Sequence, residues 1–393
     1  MENVVFISGK RTPFGAFGGS LKDISATELG VISAKATLEQ AGVSPEQIDH
    51  TIFGNVVQSG ADAAYLARHI GLKIGVPVDR GAYIVNRLCG SGFQSWVSGL
   101  QMIRDGEASA VLAGGVEQMS QIPYVMRNVR FGGIRMGPGE LEDAMTSALT
   151  DAYAGIPMAI TAENLGEKYG ITRGQVDEYS IQSQARYKKA LAEGKFSQEM
   201  TPVKIESKKG SITVEKDEHP KPDVTLEKLS TMKALFKKDG LVTAATASGI
   251  VDGAACSLLM SESKAKKLGL KPMARIVSYA SVGCDPKIMG IGPAGASRMA
   301  LQKAGLKLEQ MDLVEVNEAF AAQYLAVQQE LKLDPAKTNV NGGAIAVGHP
   351  LGASGTRIMN LLVYELHRRN AKYALGSACI GGGQGIAIII ERI

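Results

Sequence analysis

A chain of 393 residues, 45% hydrophobic and 21% charged, is long enough for two or three packed lobes and has the balance of a globular protein. A net charge of +4, with Lys and Arg scattered among carboxylates, offers nucleic acid no basic face, and no apolar run is long enough to span a bilayer. Four cysteines, at 89, 256, 284 and 379, show neither a CxxC pair nor a zinc spacing, so neither a disulfide framework nor a metal site is expected, and the chain reads as soluble, unexported and cytoplasmic.

The chain opens with a strand over Val4 to Ser8 and a Pro/Gly-rich loop, KRTPFGAFGG. A helical pattern follows over Thr27 to Ala41, then the turn AGVSPEQID and a strand over Thr51 to Val56. The β-branched run ending at Val85 meets NRLCGSGFQSW, where Gly90, Ser91 and Gly92 remove bulk just after Cys89 and a helix is expected over Phe93 to Ile103. A thiol at that strand-to-helix corner feels unpaired amides and the positive end of the helix dipole, which predicts a lowered pKa and a nucleophilic cysteine. A short strand, Ala108 to Ala113, ends in Gly114-Gly115. This alternation predicts a parallel-type sheet covered on both faces.

Alternation stops after Met119. The region to about Ala247 reads as a large insertion, with one helix over Thr172 to Glu193 and a charge-rich run from Lys204 to Asp239 that is expected to be a solvated face. Beyond it the first lobe repeats. AGVSPEQID at Ala41 returns as AGLKLEQMD at Ala304, 263 residues later, Val4 to Ser8 is echoed by Arg275 to Ser278, Val85-Asn86 by Val340-Asn341, and Ala110 to Gly115 by Tyr373 to Gly381. Two copies of one unit most economically stack about a shared layer of helices.

In the second copy the equivalent loops carry polar residues that a structural loop does not require. Asn317 and Glu318 follow the strand Leu313 to Val316, His349 stands between Gly348 and Pro350, and Cys379 precedes a run of glycines. Strand ends meeting at a pseudo-twofold would gather Cys89, Asn317, His349 and Cys379 into one pocket. Such a set suits acyl transfer with a carbanion step: one thiolate carries the acyl group with the His as its base, and the second thiol moves a proton on a carbon α to a thioester. The enolate oxygen then needs donors, each typically worth about 3 to 4 kcal/mol. Asn317 and a protonated His349 are the side-chain candidates, and the amides of Cys89 and Gly381 would serve the acyl-enzyme. No phosphate-binding glycine motif is present, which removes kinase and dehydrogenase readings.

NRLCGSG, VNEAFAAQ, NVNGGAIAVGHPLGASG and CIGGGQG, with KRTPFGAFGG near the start, resemble the thiolase family along essentially the whole chain. The resemblance implies the five-layered αβαβα thiolase fold, an α/β architecture of two duplicated halves, residues 1–119 with 248–270 and residues 271–393, around an inserted loop domain, 120–247, that holds coenzyme A. It implies Cys89 as acylated nucleophile, His349 as its activator and an oxyanion donor, Cys379 as acid/base and Asn317 as positioner of an oxyanion-hole water. Coenzyme A contacts by the same resemblance fall on Ser248, Lys221, Met158, Phe236, Met289 and Phe320. Three departures mark this region: Ala245-Thr246 where Gly-Asn is usual, Lys221 where an Arg is frequent, and Met158 after Pro157 where acetoacetyl-specific bacterial members carry a His. The expected reaction joins two acetyl-CoA into acetoacetyl-CoA and CoA, reversibly, or alternatively cleaves 3-ketoacyl-CoA of varied chain length. Partners are then acetyl-CoA, acyl-CoA and free CoA as substrates, with no separate cofactor, no nucleic acid, no membrane, and a homotetramer of two dimers. A decarboxylating ketoacyl synthase is disfavoured by Cys379, and a non-catalytic acyl-CoA carrier by the intact set of four residues.

Overall fold

The first apolar run forms β1 (Val4–Arg11), and a Ser25/Glu28 capping box starts α1 (Ala26–Ala41), which stops at Gly42 in the left-handed region. Then come β2 (His50–Gly54), α2 (Leu66–Lys73), β3 (Gly81–Val85), α3 (Ser91–Arg104) and β4 (Ala110–Glu117). The insertion contributes α4 (Met158–Tyr169), α5 (Arg173–Ala192) and a hairpin of Val203–Ser207 with Gly210–Val214. β5 (Val251–Ser261) returns to the first half. The second half runs β6 (Ala274–Gly283), α6 (Gly292–Ala304), β7 (Leu313–Val316), α7 (Ala321–Leu331), α8 (Ser354–Arg368), β8 (Tyr373–Ile380) and β9 (Gln384–Arg392). This is a computed structural model, and it describes residues 2–134, 136–207 and 210–393.

The strands hydrogen-bond in the order β7-β8-β9-β6-β1-β5-β4-β2-β3. Read outward from the centre, β6, β9, β8, β7 mirror β1, β5, β4, β2, and a single parallel bridge from Thr338 to Val314 stands where β3 pairs with β2. Within the sheet the halves join through a short β1–β6 pairing, Val5 with Arg275 and Phe6 with Ala274. About this join they enclose α3 and α8, whose apolar faces share one core with strands of both halves. Helices α1 and α2 cover the outer face of one half, and α6 with α7 that of the other, which gives the five αβαβα layers that the resemblance implies.

The repeat extends to individual hydrogen bonds at the 263-residue spacing. Asp49 Oδ2 accepts the amides of Ser109 and Ala110, and Asp312 Oδ2 those of Lys372 and Tyr373. Both copies of the outer helix end on a left-handed glycine, Gly42 and Gly305, and both first strands shift register just before a serine, Ser8 and Ser278. The central helices cross on a repeated glycine. A Cβ on Gly92 would stand 2.6 Å from Thr356 N, and one on Gly355 2.2 Å from Phe93 N, so any larger residue would push the helices apart.

The expected parallel sheet is corrected in part. Only β2–β3, β2–β4 and β7–β8 pair parallel; the central pairings are antiparallel. The reason is local in the second half: Gly382 and Gly383 take φ near 80°, so Gly381–Gly383 turns β8 straight back into β9 instead of leading to a crossover helix. The charge-rich run also carries more than a solvated face. Its Asp217 is buried and takes both Nη atoms of Arg11 at 2.7 and 3.0 Å, while Arg11 Nε binds Glu199 at 2.8 Å and Tyr187 OH donates to Asp217. This buried network ties the KRTPFGAFGG loop to the insertion. Lys208 and Lys209 of the run lie outside the described residues.

Candidate active site

The corner between β3 and α3 is held by short-range bonds. Leu88 sits at φ 48°, an uncommon conformation for a branched side chain, and is fixed there by Asn86 Oδ1 on its amide and by Ser91 Oγ donating to its carbonyl at 2.7 Å. This places Cys89 immediately before the helix, half-buried, with its own amide and that of Gly381 directed at its sulfur. Gly381 follows the end of β8, two residues after the fully buried Cys379, whose sulfur lies near enough to feel that of Cys89 electrostatically.

The expectation of an acidic Cys89 thiol is corrected. The crowded protein around it pushes the thiol up to about 11, and the nearby Glu117 carboxylate adds to this, while the two amides pull only partly the other way. Desolvation outweighs the helix terminus because taking the thiolate out of water costs more than the two amides return. Cys379 is raised further by burial and by the two sulfurs of Cys89 and Cys284.

His349 and Asn317 meet each other beside β8, where the Asn317 amide binds Ser377 O, two residues before Cys379. Asn317 Nδ2 lies 3.3 Å from His349 Nε2, and His349 Nδ1 lies 2.5 Å from Ser354 Oγ, which also donates to Pro350 O. Because Ser354 spends its proton on Pro350, the network assigns the imidazole proton to Nδ1 and leaves the Nε2 lone pair facing Asn317. Burial, with Arg357 behind the ring, lowers the His349 pKa to about 3. The free site therefore holds a neutral imidazole rather than the protonated donor expected from sequence, and a neutral imidazole is the form that accepts a thiol proton. Asn317 Oδ1 is buried without a protein partner among the described residues. Its neighbour Glu318 points away, binding Tyr179 OH, Ser183 Oγ, Asn339 Nδ2 and the Ile345 amide, and so locks the NEAF loop to α5.

This burial has a measurable cost. Between pH 6.5 and about 3 the unfolded chain binds a proton at residue 349 that the folded chain refuses, so stability falls as pH falls through that window, on the order of 1.4 kcal/mol per pH unit, with no further loss below it. Urea melts across this range should show a shallower acid decline for His349→Asn than for wild type; superimposable declines would contradict the assignment.

Around Cys379 the wall is apolar: Met289 and Ala319 pack on the sulfur with Met158 and Phe320 beside them, and a Cβ on Gly381 would meet Leu88 Cδ1 at 2.9 Å and Met158 Sδ at 3.4 Å. Lys221 lies elsewhere, on a cavity of about 600 Å³ lined also by Gln184, Lys228, Met232 and Ala245. The segment 243–249 runs from this cavity to Ala319, which packs with Cys379, and to His349: Ser248 N binds Ala319 O, and Gly249 O accepts the amide of His349. Phe236 is 49% exposed and outside that lining. Sequence reasoning did not single out Ser354, whose signal was its place 263 residues after Ser91, nor His219, which lines the cavity. No helix among the described residues is long and apolar enough to cross a membrane.

The chain matches the family "Thiolase, N-terminal domain" over residues 4–263 and "Thiolase, C-terminal domain" over 270–392. It is 56% identical over 395 residues to a mitochondrial 3-ketoacyl-CoA thiolase of Mus musculus, covering 100% of this chain and 99% of that protein. It is 49% identical to an acetyl-CoA acetyltransferase of Pseudomonas aeruginosa, with 100% of both covered. The crystal structure of human mitochondrial 3-ketoacyl-CoA thiolase in complex with CoA superposes with a TM-score of 0.97 at 56% identity, over 100% of this chain and 98% of that one. These relatives overturn the cytoplasmic expectation, since those at 55 to 56% identity are mitochondrial. Sparse cysteines and the lack of a long apolar run do not separate the cytosol from other compartments that keep thiols reduced. Motif order, duplicated topology and matches over both halves agree, and the chain belongs to the thiolase family.

Proposed function

We propose that this acyltransferase is a 3-ketoacyl-CoA thiolase of broad chain length, with acetoacetyl-CoA as its shortest substrate. The observation that carries the reading is the meeting of two sulfurs from different halves: Cys89 faces the amide of Gly381, two residues beyond Cys379. In cleavage, His349 Nε2 takes the Cys89 proton and the thiolate attacks C3 of the substrate. The C2–C3 bond breaks, the acyl group stays on Cys89, and Cys379 gives its proton to C2 of the departing acetyl-CoA enolate. Free CoA then returns a proton to Cys379, its sulfur displaces the acyl group from Cys89, and the Cys89 thiolate released takes its proton back from His349. Condensation is the reverse, and the steps balance without a cofactor.

In this scheme the amides of Cys89 and Gly381 hold the acyl-enzyme oxygen. Asn317, through the free Oδ1, orients a water at the enolate oxygen, and His349 supplies the second donor once it has taken up a proton. The cavity at Lys221 suits the nucleotide end of coenzyme A, the segment at Ser248 its pantetheine, and Met158, Met289 and Phe320 the acyl end. Long, pliable methionines suit substrates of varied length. The division into two halves around an inserted loop domain goes with this reading. So does a homotetramer, favoured by the half-exposed edge strand β3 with Tyr83 and by the exposed Phe131, Met136 and Tyr153 of the insertion.

Thiolysis rates measured against 3-ketoacyl chain length from C4 upward test the proposal. A kcat/KM that stays level or rises beyond C4 is expected; a fall of orders of magnitude would mark an acetoacetyl-specific enzyme instead.

A further inference from the structure

The repeat gives the catalytic corner a counterpart in the other half. Helices α3 and α8 begin 263 residues apart, at Ser91 and Ser354, and the turns before them match: Gly90 N binds Arg87 O, and Ala353 N binds Pro350 O. By this register the counterpart of Cys89 is Gly352, and the counterpart of Ile380, the last residue of β8, is Glu117, the last residue of β4. At the catalytic corner the Cys89 and Gly381 amides face a sulfur. At the counterpart the Gly352 amide donates to Glu117 Oε2 at 2.8 Å.

The Glu117 carboxylate is fully buried and takes, besides Gly352, the amides of Val56 at 3.1 Å and Val57 at 2.9 Å and the Asn55 Nδ2 at 3.3 Å. The other side of Gly352 is a floor of glycines. A Cβ on Gly54 or Gly92 would stand 2.9 Å from its carbonyl oxygen and one on Gly115 only 1.9 Å. The loop His349–Gly352 is thus closed between a carboxylate and bare backbone, and its first residue is the imidazole that meets Asn317.

The geometry points to Glu117 as a positioning residue of the acyl-transfer site: its carboxylate fills the counterpart corner and clamps the loop that carries His349 in register with Asn317 and Cys89. This rests on the acyl-transfer reading above. The same carboxylate acts on the Cys89 thiol and raises it. The other ionisable groups at hand are Cys379, against Cys89, and His349, with Arg357 and its partner Glu315 behind the ring. Glu117, held by amides and no cation, is itself pushed up to about 7 by burial.

The test compares Glu117→Gln and Glu117→Asp in the full chain. It reads kcat and KM for CoA in thiolysis, per acylatable Cys89, together with the pH dependence of Cys89 alkylation by iodoacetamide. Glu117→Gln keeps the size but loses the charge and turns a donor toward the amides. Its kcat should fall about 10²-fold, the scale of a misplaced catalytic group, with KM for CoA unchanged. Its alkylation midpoint should move to lower pH, because a negative charge near the thiol is gone. Glu117→Asp keeps the charge but draws back from Gly352, so kcat should fall while the alkylation midpoint stays. Slower turnover in both variants with the alkylation midpoint moved only in Glu117→Gln is a pattern that general loosening, which would hydrate the thiol in either variant, does not produce. Wild-type kcat per acylatable Cys89 in either variant would overturn the clamp, and the Asp variant alone decides if the Gln variant does not fold. Wild type must itself be acetylated on Cys89 in the same series; if it is not, the acyl-transfer reading fails first.

Discussion

Cys89→Ser is expected to lose thiolysis and condensation by at least about 10³-fold with its fold intact, since removal of a nucleophile generally costs that much or more. In the proposed scheme the wild-type sulfur is not a standing thiolate: with its raised pKa and a neutral His349, attack would go together with proton transfer to Nε2. A serine hydroxyl is a poorer acid than the thiol and its ester a less reactive acyl carrier, so the same base has more to do and achieves less. The side chain is half-buried at a turn and close to serine in shape, so melting temperature should hold within a few degrees, roughly the effect of 1 kcal/mol. Turnover at the wild-type rate would remove Cys89 from the mechanism.

Cys379→Ala separates the two sulfurs. The first half-reaction, acetyl transfer from acetyl-CoA to Cys89 and back to CoA, does not involve the α-carbon, so exchange of labelled CoA into acetyl-CoA should persist. Making or breaking the carbon–carbon bond requires a proton to move on that carbon, and loss of the acid/base group should slow it by about 10² to 10⁴-fold. The buried, apolar setting of Cys379 supports this division, because burial favours the protonated thiol that an enolate can draw on. An alanine variant that still cleaves acetoacetyl-CoA at the wild-type rate, or that loses exchange as completely as cleavage, would contradict it.

Features with local causes were legible in the sequence. Helix α1 announces itself through its capping box and terminal glycine, and the Asp49 and Asp312 turns through a repeated nonapeptide. The four polar residues of the site stood out because Gly-rich loops at strand ends had no structural need of them. Features set by distant partners were not legible. β5 is buried along all eleven residues, so it has no alternation to betray its direction, and its antiparallel pairing follows from where the insertion returns the chain. Arg11 finds Glu199 and Asp217 across 188 and 206 residues. The same holds for electrostatics: a helix N-terminus can be read from a sequence, but the crowding that overrides it at Cys89 and His349 comes from both halves at once.

The most direct measurement is the site of acylation. The protein, incubated with acetyl-CoA, quenched in acid and digested, should carry one hydroxylamine-labile acetyl group on the peptide containing Cys89, in wild type and in Cys379→Ala alike, and no hydroxylamine-labile acetyl group in Cys89→Ser. An acetyl group found instead on Cys379 or Cys284, or no covalent adduct in an enzyme that turns over, would contradict the assignment of the two sulfurs.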